Sequence, residues 1–437
     1  MSLNVAVAVL VGLAVLSSLT YVGYKRFSPS PVIKTPKSAL FFGNPLLDLM
    51  KETSVEYILN HNLSPDSETF SMFQHGFPAE IQEIFSEFES DATVEKVAGG
   101  ASQNSARVAS FLSRMFGENM NITYTGAVAK DEISQCMRVS CIESAVNPLY
   151  QQVEENCSSG KCAAMFYTES EENLARLGQT CKPSGRTLAT CLGAAGKFKS
   201  AQISDSVIES YDMFYTEGFF IPTSFETLLR VAKHAHATNK PFIINLSSKD
   251  FMAIFYDQFK ALFAYATVVF GNELEFPALW EAMVAHGDAV VPEGGFTFQN
   301  FAKFFGSLEF EGVKKSRTVV ITRGTDPAVV FDPATSKVME FPIFALKNGQ
   351  MFKDTNAAGD SFVGGFISGL AMDLPLEENM KRAALGAGII VQMRGCSFPK
   401  SEKEFKSIVR NLIAPKGLTS KVSYPAAIVA AAPANAA

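Results

Sequence analysis

The chain has 437 residues, of which 47% are hydrophobic and 19% charged, enough apolar side chain for a large core and too much for a disordered or fibrous protein. Its net charge of -6 supplies no basic field, which excludes nucleic acid as the expected partner and leaves small molecules and proteins. Seven cysteines is an odd number, and six of them (Cys136, Cys141, Cys157, Cys162, Cys181, Cys191) fall in one region without framework spacing, so we expect reduced, cytosol-facing thiols. No C-x-x-C pair occurs, and His234 and His236 point to different faces of a helix, so no protein-built zinc site is expected.

From Met1 to Tyr24 there is no charged side chain, and Lys25 and Arg26 follow at once. A stretch of that length can span a bilayer as a helix, and positive charge after it places the rest of the chain on the cytosolic side. We therefore expect a single-pass membrane anchor over 1–24 with a cytosol-facing body. A cleaved targeting peptide is the alternative, with a cytoplasmic or organelle-targeted protein as its consequence. Residues 25–38, containing "SPSPVIKTPKS", read as a linker, and residues 39–412 as one domain.

That domain opens with the apolar run "ALFFGNPLLDLM", a buried strand leading into a turn at Gly43-Asn44-Pro45. Further strand-like runs lie at 121–129, 162–168, 212–220, 241–247, 266–272 and 317–324, with helical patterns at 224–239 and 247–265 between them. Strand and helix in alternation predict an α/β fold with a mainly parallel sheet covered on both faces, whose ligands bind beyond the strands' carboxyl ends. Two stretches, about 45–75 and 148–192, are more polar and break the alternation; we expect them to form a small lid. The Ala-rich tail, 413–437, is low in complexity and carries no structural expectation.

The stretch "KDTNAAGDSFVGGF" (353–366) concentrates the chemistry. Between Asn356 and Gly359 the side chains are small, so a ligand can approach the backbone, and the apolar spacing after Gly359 predicts a helix start. Unpaired N–H groups and the positive dipole end there make an anion site. Asp360 at that point is either a simple helix cap or an acid that takes a proton while the amides stabilise a transferred phosphoryl group.

"DTNAAGDSFVGGF" resembles the C-terminal signature of the carbohydrate kinase family that includes ribokinase, fructokinase and adenosine kinase, usually Asp-Thr-x-Gly-Ala-Gly-Asp. Eight further segments are similar to the adenosine kinases among them: "FFGNPLLDLM", "VAGGASQNSARVA", "SGKCAAMF", "GRTLATCLGAA", "TEGFFI", "INLSSKDFMAIFYDQF", "VFGNELE" and "GCSFP". They run in order from about residue 39 to 400. The resemblance implies a ribokinase-like three-layer αβα fold with a small lid, and transfer of the ATP γ-phosphate to the 5'-hydroxyl of adenosine, with Mg²⁺ as cofactor and a monomeric catalytic domain. It assigns Asp360 as the base; Asn44, Asp48, Gly99, Gly100 and Asn104 to the nucleoside; Arg186, Ala357, Ala358 and Gly359 to the phosphates; Thr322 and Gly324 to ATP; and Asn272 and Glu275 to the metal through water.

Three departures stand out. Ala357 replaces a usual Gly, so a positive φ there would cost on the order of 1 kcal/mol and leave the enzyme slower. The segment 168–185 is longer than expected, and the N-terminal anchor is unusual among soluble relatives. Another nucleoside or sugar as acceptor, and a nucleoside-binding protein without turnover, are the alternatives.

Overall fold

The computed structural model describes residues 37–413 except 72–75, 155, 291–294, 311–312 and 314–315. The expected anchor and most of the expected linker, residues 1–36, and all but the first residue of the tail lie outside the described residues. Among the described residues no helix is long and apolar enough to cross a membrane. Ser38, expected in the linker, already belongs to the first strand; its N–H and hydroxyl both donate to the Asp212 carboxylate, at 2.8 and 2.9 Å.

Fourteen strands build two sheets: β1 Ser38–Phe42, β2 Leu46–Glu52, β3 Glu68–Ser71, β4 Glu95–Gly99, β5 Asn121–Val128, β6 Asn147–Gln152, β7 Gly160–Thr168, β8 Ser184–Cys191, β9 Met213–Glu217, β10 Phe242–Asn245, β11 Val268–Asn272, β12 Thr318–Arg323, β13 Asp326–Asp332 and β14 Lys337–Phe341. The larger sheet has nine, in the order β14-β13-β12-β11-β10-β9-β1-β5-β6. All pairings from β6 to β12 are parallel, and β13 and β14 close the edge antiparallel. Every residue of β1 and of β9 is buried. Their near-continuous apolar sequence is what a strand covered on both faces requires. One face packs on the helices Ile221–Ala237, Tyr256–Phe263, Glu275–Ala285 and Phe298–Ser307, through Leu228, Phe259, Leu279 and Phe305. The other packs on Ala101–Met115, Ala358–Leu370 and Leu376–Ile390, through Ala106, Phe366 and Ala383. The result is the three-layer αβα architecture.

The smaller sheet, β3-β8-β7-β2-β4, shows the two-residue side-chain period of a strand with one face on a core. Leu47 and Leu49 of β2 and Ala189 and Cys191 of β8 face the helices Val55–Asn60 and Ala79–Ser90. Leu46 and Asp48, and Arg186, Leu188 and Thr190, face the opposite way, into a cavity. The expected lid limits shift in two places: β6 pairs with β5 of the large sheet, and β4, expected outside the lid, pairs with β2. The long segment after β7 folds partly as the short helix Glu171–Arg176. The single helix expected over 247–265 is two, Lys249–Ile254 and Tyr256–Phe263, parted at Phe255 (φ -119°).

Candidate active site

Four neighbouring strands of the large sheet carry polar side chains at their carboxyl ends: Glu217 on β9, Asn245 on β10, Asn272 on β11 and Thr322 on β12. The register pairs Glu217 with Asn245 and Asn272 with Thr322. All four line one cavity of about 300 Å³, roofed by Asp48, Glu68, Phe70 and Arg186 of the small sheet. The cavity therefore sits where an open α/β sheet places its ligand.

At one end lies the expected anion turn. Ala357 precedes the helix with φ +62°, the left-handed conformation that the usual Gly adopts at least cost. It is buried, belongs to the apolar cluster of Val108, Phe111 and Leu385, and also lines the cavity. The N–H of Ala358 is spent on the Thr355 carbonyl at 3.1 Å, which removes it from the expected phosphate contacts. No protein acceptor meets the N–H of Gly359 or Asp360 among the described residues. A Cβ added at Gly359 would meet nothing within 4 Å, so open space lies over these amides. Asp354 braces the turn, its carboxylate accepting from the N–H groups of Asn356 at 2.5 Å and Gly395 at 3.1 Å.

Asp360 occupies the first turn of that helix, and its carboxylate accepts from Asn104 Nδ2 at 3.0 Å. Burial raises it to about 6, while the Asn104 hydrogen bond and the Arg186 charge pull the other way. Arg186 reaches across from β8 and donates to the Thr355 hydroxyl at the start of the turn; its Nε has no protein acceptor. A carboxyl group raised to about 6, unpaired amides and an unsaturated guanidinium thus line one cavity.

Asp48 is 6% exposed, and burial pushes it up to about 7 despite a 3.4 Å hydrogen bond from Asn356 Nδ2. A Cβ at Gly99 would lie 2.3 to 2.4 Å from the Asp48 carboxylate, and Gly100 (φ +88°) has the Asn44 carbonyl 2.3 Å from where a Cβ would be. These glycines make room for Asp48 and for the crossing between sheets. Of the two, only Gly100 lines the cavity. Asn44 lines it too, but its amide is engaged at both ends, donating to the Phe219 carbonyl at 2.9 Å and accepting from Thr223 Oγ1 at 3.0 Å.

Asn272 and Glu275 close a ring on each other. The Glu275 carboxylate accepts from Asn272 N and Nδ2, both at 2.9 Å, and Asn272 Oδ1 accepts from the N–H groups of Leu274 and Glu275, at 2.8 and 2.9 Å. Burial pushes Glu275 up to about 7. Thr322 lines the cavity, whereas Gly324, in the β12–β13 turn at φ +56°, does not. Among the described residues no three His, Cys, Asp or Glu side chains gather as a metal cage.

Sequence reasoning missed the aromatic wall. Phe251 meets Phe70 at 5.9 Å and Phe219 at 5.4 Å between ring centroids, both edge-on, and all three line the cavity. Phe219 stands in "TEGFF" beside the equally missed Glu217, but Phe70 carries no local signal, since only strand pairing brings β3 to the cavity.

Residues 76–403 match the model of the pfkB family of carbohydrate kinases, and the chain belongs to that family. Within it, the chain is 29% identical to adenosine kinase 2 of Arabidopsis thaliana over 371 residues, covering 83% of this chain and 95% of that protein. It is also 29% identical to the adenosine kinase of Saccharomyces cerevisiae, at 83% and 96% coverage. Among solved structures, the Anopheles gambiae adenosine kinase in complex with P1,P4-di(adenosine-5) tetraphosphate superposes with a TM-score of 0.69 at 28% identity, over 83% of this chain and 98% of that one. The Schistosoma mansoni adenosine kinase in complex with 2-fluoroadenosine gives 0.69 at 26% identity, over 83% and 97%.

Proposed function

We infer that this chain is an ATP-dependent adenosine kinase. The observation that carries the reading is the meeting of Asp360 with Arg186 and free helix-start amides at one end of a cavity whose other wall is aromatic. The adenine ring packs against Phe70, Phe219 and Phe251, and the ribose hydroxyls donate to Asp48. The 5'-hydroxyl faces Asp360, which takes its proton as the oxygen bonds to the γ-phosphorus. The bond from that phosphorus to the bridging oxygen breaks, leaving AMP and ADP. Arg186 and the N–H groups of Gly359 and Asp360 hold the transferred oxygens, and Thr322 faces the donor nucleotide.

Glu275 suits Mg²⁺ in one respect: each of its carboxylate oxygens, hard donors at the cavity wall, keeps a lone pair beyond its hydrogen bond in the ring, whereas Asn272 Oδ1 already accepts from two N–H groups. With Asn272 locking it in place, the Glu275 carboxylate would hold metal-bound waters rather than the ion. The metal would neutralise charge on the donor phosphates.

The aromatic wall favours an acceptor that carries a base over a free sugar. The reading without turnover loses its main support, because Ala357 adopts the left-handed φ that the usual Gly would take. The test is phosphate transfer from ATP by the full chain to adenosine, ribose and fructose, with Asp360→Asn alongside. AMP formation confined to adenosine and lost in the variant supports the reading; equal transfer to ribose or fructose sinks it. Residues 1–24 remain our candidate for a single-pass anchor, on the strength of their uncharged length and the Lys25-Arg26 pair; release of the full chain by alkaline carbonate would overturn that. A monomeric catalytic domain is part of the same reading, checked by light scattering.

A further inference from the structure

Among the described residues five acids line the cavity, and four of them already hold a protein donor. Asp48 accepts from Asn356, Asp360 from Asn104 and Glu275 from Asn272. Glu217 accepts from the Asn44 N–H and is 1% exposed with its Oε2 buried, so an incoming ligand meets little of it. Glu68 is the exception. Its side chain is exposed, and among the described residues its carboxylate accepts no hydrogen bond; what it feels are the charges of Arg186 and Asp250. Arg186 lies diagonally from it on β8, two residues before its register partner Leu188, but donates to the Thr355 hydroxyl instead of to Glu68.

Glu68 opens β3, the edge strand of the small sheet. Residues two apart on a strand share a face and stand about 7 Å apart, so Glu68 and Phe70 look into the cavity side by side. The register sets them beside Leu188 and Thr190 of β8, which line the same cavity. Phe70 in turn meets Phe251, so the unbonded carboxylate stands at the border of the aromatic wall. An open acceptor in that place suits a flat ligand with an N–H on its edge. We propose that Glu68 is a specificity-determining residue: it accepts a hydrogen bond from an exocyclic amine on the base that packs against Phe70, and so selects nucleosides with an amino-substituted base. The inference rests on the kinase reading above. A base of the same shape without the amine keeps its contacts with the three phenylalanines and loses only this bond.

The experiment compares kcat/KM for phosphate transfer from ATP by the full chain to adenosine and to purine riboside, which differs only in lacking the amine. Wild type is set beside Glu68→Leu, Glu68→Gln and Glu217→Gln. Wild type prefers adenosine by about tenfold or more, the worth of one hydrogen bond to a charged acceptor. In Glu68→Leu the preference falls to within about threefold of one, and in Glu68→Gln, whose carbonyl accepts without a charge, it lies between the two. A Glu68→Leu that keeps the wild-type preference overturns the proposal. So does a loss of equal size for both acceptors, which a mere counter-ion of Arg186 would show, and so does a preference abolished by Glu217→Gln instead. If Glu68→Leu does not fold, the isosteric Glu68→Gln decides alone, an unchanged preference overturning the role. A wild type that phosphorylates neither acceptor fails the kinase reading; one that turns over both equally fails only the Glu68 role.

Discussion

Two aspartates, one on each wall of the cavity, make an instructive pair. Asp360 starts a helix on the large sheet and Asp48 sits in a strand of the small one; each accepts a hydrogen bond from an Asn, at 3.0 and 3.4 Å. Burial raises both, yet Asp360 reaches only about 6 and Asp48 about 7. The difference lies in the neighbours. Arg186 lowers Asp360 against the raising charge of Glu68 alone, while Asp48 has Arg107 to lower it against two negative charges, Asp360 and Asp354. One residue type is thereby set on one wall to ionise near pH 6 and on the other to keep its proton up to about 7.

Removing the carboxylate proposed as the base breaks the comparison most sharply. Asp360→Asn should lower kcat by about 10³-fold while adenosine still binds, and the wild-type acid limb of kcat near pH 6 should vanish with it. Steady-state kinetics beside adenosine titration calorimetry would show this, and a retained acid limb would remove Asp360 from the role. Arg186→Met tests what the small sheet lends to the other wall. A loss of about 10²-fold in kcat is expected, and a change confined to KM would make Arg186 a binding group only.

Gly359→Ala probes the cradle without touching the fold, since its new methyl meets nothing within 4 Å. A rise of about tenfold in KM for ATP is expected, with an unchanged melting temperature; unchanged kinetics would place the phosphates elsewhere. Asp48→Asn should weaken adenosine and yet stabilise the protein. Asp48, Asp360 and Glu275 hold protons more tightly folded than unfolded, so the stability they contribute is complete below about pH 4 and is lost as pH rises through 6 to 7. At pH 8 the variant should melt roughly 2 °C above wild type by calorimetry, the gap closing in acid. Ala357→Gly should do least: relief of left-handed strain is offset by loss of a buried methyl, so turnover should move by less than about threefold. A larger gain would mean that the turn still limits the reaction.

Much of the site was legible because local chemistry sets it. Asp360 at a helix start and the left-handed turn before it follow from small residues and apolar spacing within one short stretch, where neighbours along the chain dictate the backbone. The buried strands were equally readable, since a strand covered on both faces must be apolar along its length. At Ala357 the structure has the positive φ whose cost the sequence indicated, while its burial beside Val108 and Phe111 depends on helices that only the fold brings together.

By itself, then, the sequence determined the alternating α/β order and the turn that puts Asp360 at a helix start, both of which depend on short stretches of backbone. Only the tertiary structure decided which acids feel one another, that Asn44 and Asn272 are already bonded within the protein, and that Phe70, Glu217 and Phe251 share one cavity. Those facts come from contacts between strands and helices far apart in the chain, and burial, which sets the charge state of every acid in the cavity, exists only once the two sheets have closed around it.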